Sequence, residues 1–548
     1  MEGLTTDFAS APAKRPRRAR MAAGTLVLFV GLAIAHTWPL ASAPRTWSRN
    51  DNADTVLHEW IMAWVTHQAV HDPIHLFDAN IFYPERHTLA YSDPLFVEAV
   101  IAAPLLWAGA SPVLAYNIVL IAGFALTGWA MSLVIAGWTG SLLAGVLSGT
   151  LAAFNAFTLT RLPQIQDQHL EFFPLVLVAL DRLLATPRAR HALKLAGWFV
   201  LQALTGTYFL VFSAIAIVAA TATRPREWLG ARSRAFLPWA ALSACVALVL
   251  LTPILWPYYV VSRDQGLSRS LDETALYSAH LTDYLATGGR LHFAWWSRRF
   301  FQNDALFPGV TALGLAGVAI VTGAATRDRR ARMAVAIGVV ACALSFGPVF
   351  PPYRWLYRVF PLMSGIRGAA RFGQVALVAI AILAGFGLAA IQRRMRRRAA
   401  VALSIVLLVV ANVEAWRAPI GYFAYRGIPP IYDALDTIDR GAVLVWVPFH
   451  SPLQVWLDAP SMLVSTRSWH RMLNGYSGFT PASYGRHAAA LADFPDETSV
   501  KYLQGVGVTH VLVDSRNLRR RQLDRLPQFQ SLKLLVTDGN LRIYQLAR

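Results

Sequence analysis

Three small groups of residues in this chain have the types and spacing to do chemistry. The first is the stretch Asn50-Asp51-Asn52-Ala53-Asp54-Thr55, followed by His58 and Glu59 and closed by Tyr83-Pro84-Glu85-Arg86-His87. The second is Gln164-Ile165-Gln166-Asp167-Gln168-His169, and the third is Arg367-Gly368-Ala369-Ala370-Arg371. A carboxylate beside a reacting hydroxyl can take its proton, while neighbouring acids hold a metal or orient other hydroxyls. Guanidinium groups bind phosphate oxygens in pairs of hydrogen bonds that Lys cannot copy. Asp51, Asp54 and Asp167 are therefore the candidate acids and bases. His58, Glu59, Gln168 and His169 are candidate substrate contacts, and Arg367 and Arg371 candidate holders of a phosphate.

The elements that must carry these residues follow from spacing. Val56, Leu57, Trp60, Ile61, Trp64 and Val65 recur at helical intervals, predicting a helix with one apolar face and with His58, Glu59 and His67 off it. Such a helix lies along a membrane surface, capped by Asp54 or Thr55, and a carboxylate in its first turn is kept ionised by the helix dipole. Arg367 and Arg371 stand at i, i+4, where they share a helix face, with small residues between them. His58, His67, His71, His75, His87 and His169 raise a zinc reading, and His67 with His71 has ligand spacing. No HExxH or CxxC accompanies them, so solvated histidines are the better account. A divalent metal, Mg or Mn, held by the acids is the one cofactor the sequence leaves open.

Composition sets the class. Of 548 residues, 55% are hydrophobic and 15% charged, and the mean hydropathy is +0.42, which describes a polytopic α-helical membrane protein. The formal net charge of +19 falls in short Arg and Lys clusters between apolar runs, the pattern of membrane topology rather than of nucleic-acid binding. Cys245 and Cys342 both sit in apolar segments, so there is no disulfide framework. The first apolar run ends at Pro39 without a small-residue cleavage site and is read as an anchor.

Charge bias orients the spans. Residues 1–20 form a basic cytoplasmic tail, 21–42 cross outward, and 43–94 are a periplasmic or exterior loop. Leu95 to Ala108, short and holding Pro104, is read as re-entrant or interfacial; the alternative puts Arg188, Arg190 and Lys194 outside. Runs at 112–137, 140–157, 173–187, two within 192–222 broken at Gly206-Thr207-Tyr208, 236–259, 305–324, 333–350, 372–391 and 399–418 complete about eleven crossings. Residues 223–235, 325–332 and 392–398 face the cytoplasm. Residues 419–548 are of ordinary composition, with β-rich runs at 442–448 and 509–514, a hairpin across Asp538-Gly539-Asn540, and helices near 481–492, 497–505 and 516–526. Alternation of the two predicts a small extracytoplasmic α/β domain.

An acid pair after the first transmembrane helix, a further acid in a second outer loop and outward-facing arginines suit sugar transfer from a phosphate-linked donor. The chain resembles the GT-C superfamily of membrane glycosyltransferases, in particular its bacterial members. The resemblance is carried by Asn50-Asp51-Asn52-Ala53-Asp54, the Trp60/Trp64 helix, Phe82-Tyr83-Pro84 before Leu89-Ala90-Tyr91-Ser92, and Gln164-Ile165-Gln166-Asp167-Gln168-His169. It continues in Ala305-Leu306-Phe307-Pro308-Gly309, Arg367-Gly368-Ala369-Ala370-Arg371-Phe372 and Asn474-Gly475-Tyr476-Ser477-Gly478-Phe479. It implies a GT-C-like transmembrane domain over 21–418 in the bacterial inner (plasma) membrane, Asp51 or Asp54 as catalytic acid of the first loop, and Asp167 as that of the second. It also implies a polyprenyl-phosphate-linked sugar as donor and a lipid, glycan or protein as acceptor, with hexosyl or pentosyl transfer both open. The first loop lacks the Asp-Glu pair of protein mannosyltransferases, so the acceptor is not named. The competing class is a lipid or glycan transporter or flippase. Against it, charges inside apolar runs are few, such as Glu98, Asp181 and Glu414, and they lie near segment ends.

Overall fold

The computed structural model describes residues 15–302 and 304–547. Most of the basic tail read as cytoplasmic, residues 1–14, lies outside the described residues, as do the side chains of residues 15–18.

Each of the eleven expected apolar runs folds as helix. Six helical stretches are long and apolar enough to cross a membrane: Ala19–His36, Pro112–Thr139, Leu142–Thr160, Gly230–Gln265, Ala369–Gln392 and Arg397–Ala415. The other five runs give helices of 12 to 17 residues, Phe173–Ala185, Ala189–Thr205, Thr207–Ala222, Val310–Val321 and Arg329–Ser345, shorter than the roughly 20 residues of an untilted span. The break expected at Gly206 is present, with Gly206 extended between two helices. The 95–108 segment is a 12-residue helix, Phe96–Trp107.

The chain divides into two compact units. The first takes in residues 1–42, 120–250 and 269–421. Its centre is the helix Phe372–Gln392, buried at 17 of its 21 residues. Ala376, Ala379, Ile382 and Leu383 on this helix join one apolar core with Leu315 and Ala319, and with Ile337 and Ala341, from two neighbouring helices. Close approach needs a missing side chain at Gly387, where an added Cβ would land on the carbonyl oxygen of Leu315. Polar ends are tied by Asp181, whose carboxylate meets Arg224 at 2.6 Å, Arg330 at 2.9 Å and Arg329 at 3.2 Å. The two basic loops expected on one side of the membrane thus bind one acid.

The second unit is discontinuous, joining residues 43–119 and 251–268 to 422–548, so the C-terminal segment does not form a compact body alone. Strands β1 (Trp47–Ser48) and β2 (Phe423–Ala424) pair antiparallel. A five-stranded sheet is built from β3 (Val443–Val447), β4 (Arg471–Met472), β5 (His510–Asp514), β6 (Leu532–Asp538) and β7 (Leu541–Leu546), in the order β4-β3-β5-β7-β6. β3 is parallel to β4 and β5, and the β6–β7 hairpin turns at Gly539 and Asn540. Val445, Val447, Val511 and Val513 pack on Val500 and Leu503 of the helix Glu497–Val506, which opens with a capping box at Asp496 and Ser499 and ends at left-handed Gly507. The helix expected near 516–526 is confined to Arg520–Arg525.

The first-loop helix departs from expectation in two ways. It spans Ala53–His71 and is capped by Asn52, whose side chain accepts the N–H of Asp54; the cap lies two residues before Asp54, leaving that acid in the first turn. The helix is also not a surface helix, since every residue from Thr55 to Thr66 is buried. Val56 packs with Val113, Ala459 and Leu463, and residues 80–83 run beside β4 through Met472 N–H to Asn80 O at 2.8 Å and Tyr83 N–H to Met472 O at 2.9 Å.

Because Gly387 admits no Cβ, Gly387→Ala is expected to force the two helices apart and destabilise the detergent-solubilised protein by about 1–3 kcal/mol. Gly314→Ala, where an added Cβ meets nothing within 4 Å, should be neutral or slightly stabilising. Thermal unfolding of the two variants checks this, and equal melting temperatures would contradict it.

Candidate active site

In the first unit Asp167 is the fixed point. It sits in a single 3-10 turn, Ile165–Gln168, and its side chain is 2% exposed. Arg161 donates from Nε to Oδ2 at 3.0 Å and reaches Asp304 with Nη1, also at 3.0 Å. Arg371 stands with Nη1 3.7 Å from Oδ1. A carboxylate taken out of water needs such partners, since a buried charge without them is costly. The turn is held from behind: Gln374 donates to the Asp167 carbonyl at 2.5 Å, and Gln168 donates to the carbonyls of Thr158 and Arg161.

The arginines are held by rings. The Arg371 guanidinium lies 4.6 Å from the ring centre of Tyr208, and Arg367 lies 4.9 Å from that of Tyr277. The Tyr208 hydroxyl accepts the backbone N–H groups of Arg367 and Gly368 at 3.2 Å each. The shared helix face expected for Arg367 and Arg371 is absent: residues 369–371 form a 3-10 turn and the helix starts only at Phe372. Each guanidinium therefore stacks on its own tyrosine. Beside Asp304, Asp283 is buried and accepts the N–H of His280 at 2.8 Å; burial pushes its carboxyl above the usual range, and the charge of Asp304 adds to the rise.

Two expected substrate contacts of this unit are out of a ligand's reach. Gln168 and His169 are 1% and 0% exposed, and His169 pairs through Nδ1 with Glu171 at 3.0 Å against Gly123, where a Cβ would stand 2.7 Å from the ring. They hold the loop instead of lining it.

In the second unit the first-loop acids part company. Asp51 is exposed and takes both Nε and Nη2 of Arg49, at 3.0 and 3.2 Å. Asp54, in the first turn of the helix, accepts the Tyr476 hydroxyl at 2.6 Å. His58 is buried, and Glu59 is fully so; neither is placed to touch a ligand. Ser48 donates to Glu59 Oε1 at 3.2 Å, and the Asn50 amide, assigned with nitrogen toward the carboxyl, donates to it at 2.9 Å. No cation is among these partners, and burial pushes the Glu59 carboxyl up to about 8, the two hydrogen bonds pulling back less. His67 stacks on Trp469 and His71, with ring centres 4.6 and 4.0 Å apart. Burial, then the charges of His71 and Arg440, hold it down at about 4, so it is a neutral ring in a stack.

Among the described residues no three of His, Cys, Asp and Glu come together as a ligand set, and the oxygens of Asp51 and Asp167 face guanidinium donors. Arg161, Asp304 and Tyr476 were not singled out by sequence reading. Arg161 and Asp304 are 143 residues apart, and Tyr476 and Asp54 are 422 apart, beyond any local pattern; the presence of Tyr476 in one of the motifs quoted above was the one available signal.

The proton on Glu59 gives a signed expectation. Folded chains keep it up to about pH 8, whereas the ordinary value is 4.5. The folded state therefore holds one more proton in that window, and the stability it brings is complete below pH 4.5 and falls as pH rises to 8. Glu59→Gln should remove this slope, so that the melting temperature drops less between pH 5 and pH 8 than in the parent. An identical drop in both would show that Glu59 is ionised in the fold.

No family model matches the chain, and no curated protein matches it. Solved structures do. The cryo-EM structure of the arabinofuranosyltransferase AftD from mycobacteria superposes on 96% of this chain with a TM-score of 0.62 at 15% identity. A mutant form of the same enzyme superposes on all of it with a TM-score of 0.61 at 16% identity. The chain spans about two fifths of the length of these proteins, 40% and 42%. With its apolar helices, this is an integral membrane protein, and its fold is that of these arabinofuranosyltransferase structures.

Proposed function

We propose that the protein is a membrane glycosyltransferase that moves a sugar from a polyprenyl-phosphate donor to an acceptor hydroxyl on the outer side of the membrane. The observation that carries this is a buried carboxylate, Asp167, held by two arginines whose side chains are 24% and 14% exposed, within a GT-C fold. Arg371, supported by Tyr208, and Arg367, supported by Tyr277, bind the donor phosphate; Arg161, already bridging two acids, is a third cation for it. Asp54 is the base. It takes the proton of the acceptor hydroxyl as that oxygen bonds to the sugar's anomeric carbon, and the bond from that carbon to the donor oxygen breaks, its electron pair leaving with the phosphate. Asp167 orients the guanidinium pair. Asp51, bound to Arg49 at the surface, has no part in proton transfer. Glu59 supports the first-loop helix from inside as a neutral carboxyl.

The test is transfer of radiolabelled sugar by the full chain in vesicles, across a panel of polyprenyl-phosphate pentoses and hexoses. Asp54→Asn should lose about a hundredfold or more in kcat, while Asp51→Asn stays near the parent. Arg371→Lys should raise the donor KM roughly tenfold with the fold intact. Parent-like kcat in Asp54→Asn would remove the base, and no transfer by the parent from any donor would remove the reading.

Orientation has its own check. With Cys245 and Cys342 replaced by Ser, a single cysteine at exposed Asn517 should react with an impermeant thiol reagent in intact cells, and one at exposed Arg394 only after lysis. The reverse pattern would invert the topology.

A further inference from the structure

The Asp54 carboxylate is met by a phenol from the far end of the chain. The Tyr476 hydroxyl donates to Asp54 Oδ1 at 2.6 Å, within the short range of hydrogen bonds to a charged oxygen. The segment bearing this phenol is clamped on both flanks. Asn474 exchanges two side-chain hydrogen bonds with the backbone of Trp446, at 2.7 and 3.1 Å, and its own carbonyl accepts the N–H of Phe82. A Cβ on Gly475 would stand 3.0 Å from the Phe82 ring, and one on Gly478 2.8 Å from the Tyr91 carbonyl oxygen. The Tyr476 ring packs in the apolar cluster of Val56, Val113, Ala459 and Leu463. A ring so fixed offers its hydroxyl in one direction, and that direction is the acid.

We propose that Tyr476 is the positioning residue for the first-loop base, holding the Asp54 carboxylate ionised and aimed by one hydrogen bond. The inference rests on the transferase reading above and adds a residue to it. The proton stays on the phenol, because a free phenol and a free carboxyl differ by about six pH units in proton affinity. Tyr476 therefore exchanges nothing with the substrate. It favours the ionised carboxylate, as a hydrogen bond to the charged form does, and it fixes the rotamer from which that carboxylate meets a hydroxyl. Proximity of this kind is lost when the base swings freely. Among the ionisable groups that face Asp54 are Tyr476 from the C-terminal segment and Tyr116 from the helix Pro112–Thr139, whose phenol feels both Asp54 and Glu59; Glu59 lies on its own helix and the Asp51–Arg49 pair precedes it in sequence. Among these, Tyr476 donates directly to the carboxylate.

The experiment compares Tyr476→Phe with the parent in the vesicle assay, across pH. The ring and its packing remain, so the melting temperature should change little. Expected are a loss of about tenfold in kcat, an unchanged donor KM, and an acidic limb of the pH–rate profile moved up by about one pH unit or more. In an Asp54→Asn background, the same change should have no further effect on the residual rate. Leu463→Val, which loosens the same apolar cluster and leaves the phenol alone, should lower the melting temperature without moving the limb. A parent-like profile in Tyr476→Phe, equal losses with and without Asp54, or a limb that moves in Leu463→Val would each overturn the proposal. If Asp54→Asn is inactive while Tyr476→Phe is parent-like, the transferase reading stands and the positioning role alone falls; if Asp54→Asn is fully active, the base assignment and the positioning role fall together, and the transferase reading falls only if the parent transfers no sugar.

Discussion

A carboxylate removed from water has to be met by cations, by N–H groups or by a proton, and the buried acids of this chain use all three. Asp167 has Arg161 and Arg371. Asp181 has Arg224, Arg329 and Arg330. Glu414 accepts the first N–H groups of the helix Val310–Val321, at Val310 and Thr311, and meets His292 at 3.2 Å; a helix N-terminus supplies partial positive charge without any cationic residue. Among the described residues Glu59 has the donors Ser48 and Asn50, and it keeps its proton to about pH 8.

These solutions do more than neutralise charge. Asp181 and its partners join the helices beginning at residues 173 and 329 to the loop at 224, and Asp167 joins the turn at 165 to the turn at 369 and, through Arg161, to the loop at 304. Removing one partner of such a set strands the others, which costs more than the pair contributes. The geometry around Asp167 is thus over-determined: the same guanidinium that offers charge to a phosphate is held by a second acid on one side, as Arg161 is by Asp304, or by an aromatic face, as Arg371 is by Tyr208. Stacking on a ring holds a guanidinium while leaving its N–H donors available in its plane.

What sequence alone delivered was whatever is local. Runs of twenty apolar residues, the break at Gly206, the hairpin at Gly539 and Asn540 and the alternation of strands and helices near the C-terminus all depend on neighbours within a dozen positions, and all of them are present. The helix Ala53–His71 illustrates the limit. Its period was legible, but its burial was not, because the covering residues Ala459 and Leu463 lie some four hundred positions away and carry no local mark of their partner. Membership of a compact unit was hidden for the same reason: residues 43–94 read as a loop between spans, yet they fold with 422–548. At the candidate site the acids and Arg371 were visible as polar residues in an apolar chain, whereas Arg161 and Tyr476 acquire meaning only from contacts across 143 and 422 positions.

Three carboxylates that look alike in sequence are set apart by their surroundings. Asp51 spends both oxygens on Arg49 at the surface, in a bidentate pair that water screens and that holds no other element. Asp167 spends its oxygens on guanidinium groups in the interior, where the pairing fixes three segments and leaves the acid as a fastener for cations. Asp54 accepts a neutral donor, the Tyr476 phenol, and has a place in the first turn of a helix, and both support its charge. A base has to carry charge before the reaction and give it up during it, and a phenol donor beside a helix N-terminus favours the first condition without opposing the second. The assignment of Asp54 over Asp51 and Asp167 therefore rests on what each acid touches, a distinction that spacing along the chain could not make.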